Sequence, residues 1–293
     1  MDGDSISFDD SVSRRKALFG TVALGSAFAL AAEPVCAQTV ITTPTDGLDV
    51  AAVKVKTKDG KEMMAYRAMP ATGTGFGTIL VVQEIFGLHA HIADICRRFA
   101  KAGYYAIAPD LYFREGDATK APDMQTLMSN FVGKTSDEQV MGDLDSVLAF
   151  AKSEGKADTA KLGITGFCWG GRIAWLYDAH NPAIKAAVAW YGPLAYPTQP
   201  ATPKNPIDVV NELHGPVQGL YGGADTGITQ ESVGKMRDAL KASSDPAAAK
   251  SNIMVYPDAP HGFNADYRPS YRKEAAEDGW TRCLAWFKAN GVA

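Results

Sequence analysis

The run Leu162-Gly163-Ile164-Thr165-Gly166-Phe167-Cys168-Trp169-Gly170-Gly171-Arg172-Ile173-Ala174-Trp175-Leu176 constrains this chain more than any other stretch. Its apolar first part reads as a buried strand, its glycines permit a sharp reversal, and its last part reads as a helix. The frame Gly166-x-Cys168-x-Gly170 is that of a nucleophile elbow, with cysteine where serine is usual. Such an elbow needs a strand covered on both faces and a helix packed back against it.

The rest of the chain supplies that setting. Residues 50–57 and 62–69 alternate around Asp59-Gly60, which predicts a β-hairpin. Continuous apolar strands follow at 78–83, 104–108, 162–167, 186–191, 216–221 and 252–256. Helical patterns lie between them at 91–102, 123–132, 137–152 and 231–241, and a terminal helix at 271–289. This alternation predicts one α/β domain, a mainly parallel twisted sheet with helices on both faces. The Pro-rich stretch 196–206 reads as an excursion between strands. Gly73, Gly75 and Gly77 precede a strand instead of following one, so they read as a loop and not a phosphate cradle.

At 293 residues, 46% apolar and 21% charged, the chain has the composition of a folded globular protein. A formal charge of -4 with scattered Lys and Arg argues against a nucleic-acid partner. The N-terminus differs in kind. Arg14-Arg15 precede a short, weakly apolar run from Phe19 to Ala32, and Val35-Cys36-Ala37 has the form of a cleavage site. Residues 1–37 are therefore expected to be a twin-arginine export signal, cleaved after Ala37 or after Ala32, with 38–47 a linker and 48–293 the domain. The expected location is periplasmic or secreted, without stable membrane insertion after cleavage. The mature chain keeps Cys96, Cys168 and Cys283, an odd number, so it is not a disulfide scaffold.

In a parallel sheet, reactive groups collect at the carboxyl ends of strands. Those ends carry Glu84, Cys168, Asp225 and His261, in the order nucleophile, acid, histidine after the first. A cysteine attacks as thiolate, His261 is the candidate base, and Asp225 would orient its imidazole. Asp258, three residues before His261, competes for the acid role. The backbone N–H groups of Trp169 and Ile85 are the expected oxyanion donors.

Taken together, Gln83-Glu84-Ile85-Phe86-Gly87, Ala108-Pro109-Asp110-Leu111-Tyr112 with Arg114, the elbow, Asp225 and His261-Gly262-Phe263 resemble the dienelactone hydrolases, or carboxymethylenebutenolidases. The resemblance runs from the hairpin to the C-terminus. It implies the α/β-hydrolase fold, hydrolysis of a small ester or lactone through a thioester at Cys168, and no metal or cofactor. It implies that Glu84 contacts the resting cysteine and helps to generate its thiolate, and that Arg114 binds a substrate carboxylate. The family's second arginine, four residues past the histidine, is matched by Ala265, with Arg268 nearby but out of register. This departure bears on the substrate and not on the hydrolytic machinery.

Other readings stand beside these. Cys168 as a buried filler, Glu84 as a helix-terminus carboxylate and Arg114 as a solvated loop residue need no chemistry. Cys96 and Cys283 are expected to be fillers. His89 and His91 invite a metal, but two positions apart on a helix they would face different ways. Trp169, Trp190, Tyr191 and Tyr196 could line an aromatic pocket. Whole-protein alternatives are a broader carboxylesterase or thioesterase, and a non-catalytic redox-sensing thiol protein. The oligomeric state is not legible.

Overall fold

A computed structural model describes residues 40–293. The expected signal, and the first two residues of the expected linker, lie outside the described residues. The hairpin forms as the alternation predicts: β1 (Leu48–Lys56) pairs antiparallel with β2 (Glu62–Pro70), from Leu48 opposite Pro70 to Lys56 opposite Glu62. Gly60 turns it at φ 83°, a conformation that strains any residue with a Cβ.

The alternation follows as β3 (Phe76–Val82), α1 (Ala90–Lys101), β4 (Tyr105–Pro109), the short α2 (Met124–Leu127), α3 (Asp137–Ser153), β5 (Ala157–Phe167) and α4 (Trp169–His180). It continues with β6 (Ile184–Trp190), β7 (Val217–Gly222), α5 (Gln230–Ala242), α6 (Pro246–Lys250), β8 (Asn252–Tyr256) and α7 (Lys273–Ala289). The sheet has eight strands in the order β1-β2-β4-β3-β5-β6-β7-β8, antiparallel at β1-β2 and β2-β4 and parallel elsewhere. β4 and β6 bury every residue but Lys185, as a sheet covered on both faces requires. On one side Phe99 of α1 packs on Trp280 and Phe287 of α7. α6 has no counterpart among the expected helices. Its local signal is the Asp245 cap, which accepts from the Ala247 and Ala248 N–H groups, with Pro246 in the first turn.

Two glycines of the elbow are required by close approach. A Cβ on Gly170 would lie 2.4 Å from the carbonyl oxygen of Gln83, and one on Gly166 would lie 2.0 Å from that of Gly170. The first turn of α4 is thereby seated directly on the backbone at the carboxyl end of β3.

At the other end of α4, buried Asp178 accepts from the His214 and Gly215 N–H groups at 3.0 and 3.1 Å, tying the approach to β7 onto the helix. Burial pushes its carboxyl up to about 8, against the pull of those two donors. The unfolded chain releases this proton near 3.8, so ionisation works against the fold and stability falls as pH rises from about 4 to 8. Asp178→Asn keeps the acceptor and removes the charge. Thermal melts are expected to show the variant about 2–4 °C above wild type at pH 9 and close to it at pH 5; equal shifts at both values would contradict a retained proton.

Candidate active site

Strand order sets the site. The chain leaves β3 for β4 on one side and returns to β5 on the other, so the β3/β5 boundary is the switch point where side chains can converge. Val82 stands opposite Gly166 in this pair, and Glu84 and Cys168 each follow two residues later. The elbow holds Cys168 at φ 55°, ψ -119°, a strained conformation of the kind that costs about 1–3 kcal/mol. Its N–H donates to the Trp190 carbonyl at 3.0 Å and its own carbonyl accepts from Gly171 at 2.9 Å, which keeps the turn in place. The side chain is buried at the N-terminus of α4, where the helix dipole favours an anion.

The loops after β7 and β8 deliver the partners. Asp225 accepts from the Gly227 and Ile228 N–H groups with one oxygen and meets His261 Nδ1 with the other at 2.8 Å. Cys168 lies close enough to the same imidazole to act on its charge. Burial works against a charged His261, but the Cys168 thiolate and the Asp225 carboxylate outweigh it and raise the imidazole to about 10. Asp258 lies exposed in the turn after β8, away from the ring, so the competition for the acid position goes to Asp225.

Glu84 has no solvent exposure, and among the described residues it meets Tyr267 and His89, not the cysteine. Its Oε2 accepts from the Tyr267 hydroxyl at 2.5 Å and stands 3.7 Å from His89 Nε2. Burial alone would push this carboxyl up. His89 and the positive field of Arg268 prevail and hold it well below the usual carboxylate range. Arg268 is itself buried, its guanidinium over the Phe86 ring at 4.5 Å and near Tyr267 at 5.6 Å. Its charge is felt at Glu84, Tyr191 and Cys168, so the arginine that looked out of register reaches the site after all. The three extra residues after Ala265 are taken up by tight turns, Ala265 N–H to Gly262 and Arg268 N–H to Ala265, which bring the guanidinium back.

Arg114 is placed differently from the expectation. Its guanidinium is bidentate on Asp143 at 2.6 and 2.8 Å, its Nε donates to Asp59 at 3.0 Å, and it stacks on Phe113. A substrate carboxylate would have to displace two aspartates, so the structure assigns Arg114 to the join between the first hairpin and α3. The histidine pair also departs from expectation. His89 precedes α1 with extended backbone, so its ring stacks on that of His91 at 6.1 Å instead of diverging. His91 meets Asp266 at 3.3 Å, so each imidazole already faces a carboxylate.

Trp169 opens α4 directly after Cys168, and Ile85 lies just past β3. The N–H of Trp169 falls among the helix-terminal donors that have no intrahelical partner. Trp190 is a core residue, its Nε1 bonded to Thr165 at 3.1 Å. Tyr112, Tyr191 and Tyr196 surround the cysteine, whose charge, after burial, helps to push their phenols up. The hydroxyls of Tyr112 and Tyr191 are buried without a hydrogen-bond partner, and Tyr191 sits at φ 37° with its ring edge on His261. Tyr267 and the site role of Arg268 escaped sequence reading; the signal was Tyr267-Arg268 following a histidine segment by a few residues. Cys96 and Cys283 are fully buried fillers whose thiols burial pushes up.

The dienelactone hydrolase family model matches residues 63–291. A Methylorubrum extorquens protein provisionally named a carboxymethylenebutenolidase is 54% identical over 289 residues, 99% of this chain and 97% of its own. An Escherichia coli K12 protein with the same provisional name is 54% identical over 267 residues, 91% and 96% of the two chains. The crystal structure of a provisionally named dienelactone hydrolase from Klebsiella pneumoniae superposes with a TM-score of 0.78 at 50% identity, covering 82% of this chain and 98% of that one. The chain is a hydrolase of α/β-hydrolase fold and belongs to the dienelactone hydrolase family.

Proposed function

We propose that the protein hydrolyses small esters or lactones through a thioester on Cys168. The observation that carries this reading is the line Cys168, His261, Asp225, with the imidazole 2.8 Å from its carboxylate and close enough to the cysteine at a strained elbow to feel its charge. Cys168 as thiolate attacks the acyl carbon and the carbonyl oxygen gains the charge, which the N–H groups of Trp169 and Ile85 receive. The tetrahedral adduct collapses as His261 gives its proton to the departing alkoxide or enolate. Water, deprotonated by His261, then cleaves the thioester and restores the thiolate–imidazolium pair. An amine leaves less readily than the thiolate itself, so esters and lactones are favoured over amides.

Arg268, buried and stacked on Phe86, supports recognition of an acidic group on the substrate. With Arg114 held by Asp143 and Asp59, one guanidinium takes that part instead of two, which favours a broader range of esters than a dicationic clamp would accept. Residues 1–37 complete the proposal as a twin-arginine export signal.

Three outcomes are expected. Against a panel of activated esters and lactones, Cys168→Ala and His261→Ala each lose about 10³-fold or more in kcat/KM while melting like wild type, because the two groups act as a unit; retained turnover in Cys168→Ala would rule the mechanism out. Turnover needs the imidazolium as proton donor, so the alkaline limb of kcat/KM lies near pH 10. Asp225→Asn removes one of the two anions that raise His261 and moves that limb to lower pH, which a rate profile from pH 5 to 11 checks. For export, replacing Arg14 and Arg15 together with Lys is expected to leave the full-length chain in the cytoplasm of a bacterial host, as read by cell fractionation; unchanged processing would exclude a twin-arginine route.

A further inference from the structure

Between β6 and β7 the chain makes a long Pro-rich excursion, and both of its ends are fixed beside the elbow and the histidine. It leaves β6 at Tyr191, whose ring edge meets the His261 imidazole at 5.1 Å. The next residue, Gly192, packs so closely on the first turn of α4 that a Cβ there would stand 2.4 Å from the Gly171 carbonyl carbon. The far end returns at Lys204, whose carbonyl accepts from Arg172 Nη2 at 2.6 Å. Arg172 belongs to that same first turn, and its N–H donates to the Cys168 carbonyl at 3.3 Å. A strap tied at one end against the histidine, and at the other to the turn that carries the cysteine, runs along the space between them.

The strap is also pinched. The Tyr196 N–H donates to Asn205 Oδ1 and Asn205 Nδ2 donates to the Tyr196 carbonyl, both at 3.0 Å, with Asn205 buried. Beyond the pinch the chain closes on itself, with Gln199 and Thr202 bridged, and the Ala201 carbonyl accepts from the Asp137 N–H at 2.9 Å. Asp137 opens α3, and its carboxylate takes the Arg172 guanidinium in a fork at 2.6 and 2.7 Å. Such a bidentate pair fixes direction as well as distance, and the Arg172 side chain is only 6% exposed. Tyr196 stands at the neck of this construction, half-buried between exposed Ala195 and exposed Pro197. Burial first, and then the charges of Cys168 and Asp225, push its phenol up, which agrees with a ring turned toward the site.

We infer that Tyr196 is a specificity-determining residue whose ring forms one wall of the substrate site and limits the bulk that reaches Cys168, and that Arg172 is a positioning residue that holds this wall through Asp137 and Lys204. The inference deepens the ester and lactone reading and rests on Cys168 being its nucleophile. A wall of this kind discriminates by obstructing large groups, so its removal changes the ratio between bulky and small reactants.

The test compares two alkylating reagents of different bulk, iodoacetamide and N-phenylmaleimide, at Cys168 of the folded full chain, read by mass spectrometry of its peptide with thermal melts alongside. In Tyr196→Ala the ratio of the maleimide rate to the iodoacetamide rate is expected to rise about tenfold. In Tyr196→Phe it stays at the wild-type value, because the wall is the ring and not the hydroxyl. Arg172→Lys keeps the charge and loses the fork, so it raises the ratio in the wild-type background and adds nothing in the Tyr196→Ala background. The kcat/KM ratio of p-nitrophenyl octanoate to p-nitrophenyl acetate is expected to move the same way. An alkylation ratio that stays put in Tyr196→Ala, or that rises equally in Tyr196→Phe, would overturn the assignment of the wall. An Arg172→Lys effect as large in the Tyr196→Ala background as in wild type would overturn the role of Arg172. Alkylation consumes no ester, so failure of both esters would count against the proposed reaction and leave the alkylation ratio standing.

Discussion

The seating of α4 on the carboxyl end of β3 is the contact on which the rest of the site depends. Gly170 brings the first helical turn against the Val82 and Gln83 carbonyls, where a Cβ would stand at 2.5 and 2.4 Å. The chain can make that approach only by reversing sharply at Cys168, which it does at φ 55°. One geometric demand therefore places the thiol at the helix N-terminus and sets Glu84 at the same depth beyond the neighbouring strand. The strain is contained by the hydrogen bonds of Cys168 to Trp190 and Gly171.

Around that turn the molecule buries charges of both signs and separates them into two groups. Asp225 is satisfied by two backbone N–H groups and by His261, so it can hold the imidazole in one orientation. Glu84 is held by Tyr267, with His89 and Arg268 supplying the compensating field. A buried acid bonded to a phenol and near an arginine stays ionised without help from water. Cys96 and Cys283 show the contrast: burial outweighs the nearby Arg97 charge at the first and the Thr165 hydroxyl at the second, and their thiols are pushed up.

Much of this was legible along the chain because strand and helix periods, turn glycines and the elbow frame are local. The hairpin, the six strands after it and the mainly parallel sheet follow from residues that are neighbours in sequence. α6 was missed because five residues carry no periodicity, and only its Asp245-Pro246 start betrays it. Arg114 was misplaced for a different reason. A motif gives its position at a strand end, but Asp143 and Asp59 come from α3 and the first hairpin, 29 and 55 residues away, and nothing local says they will claim it. Arg268 shows the converse: spacing from His261 put it out of register, while the turns at Ala265 and Arg268 bring it in.

By itself the sequence determined the class of fold and the order of the candidate site residues, since both are encoded in adjacent residues whose sterics and polarity act over one turn or one strand. Tertiary structure decided which carboxylate serves which group. Asp225 and not Asp258 faces His261, Glu84 pairs with Tyr267 instead of standing alone, and Arg114 is taken by Asp143 and Asp59 while Arg268 lies buried over Phe86. Those choices depend on distances between side chains that are up to 183 residues apart, and electrostatic interactions of buried groups are set by such distances and by exclusion of water, neither of which has a signature in local sequence.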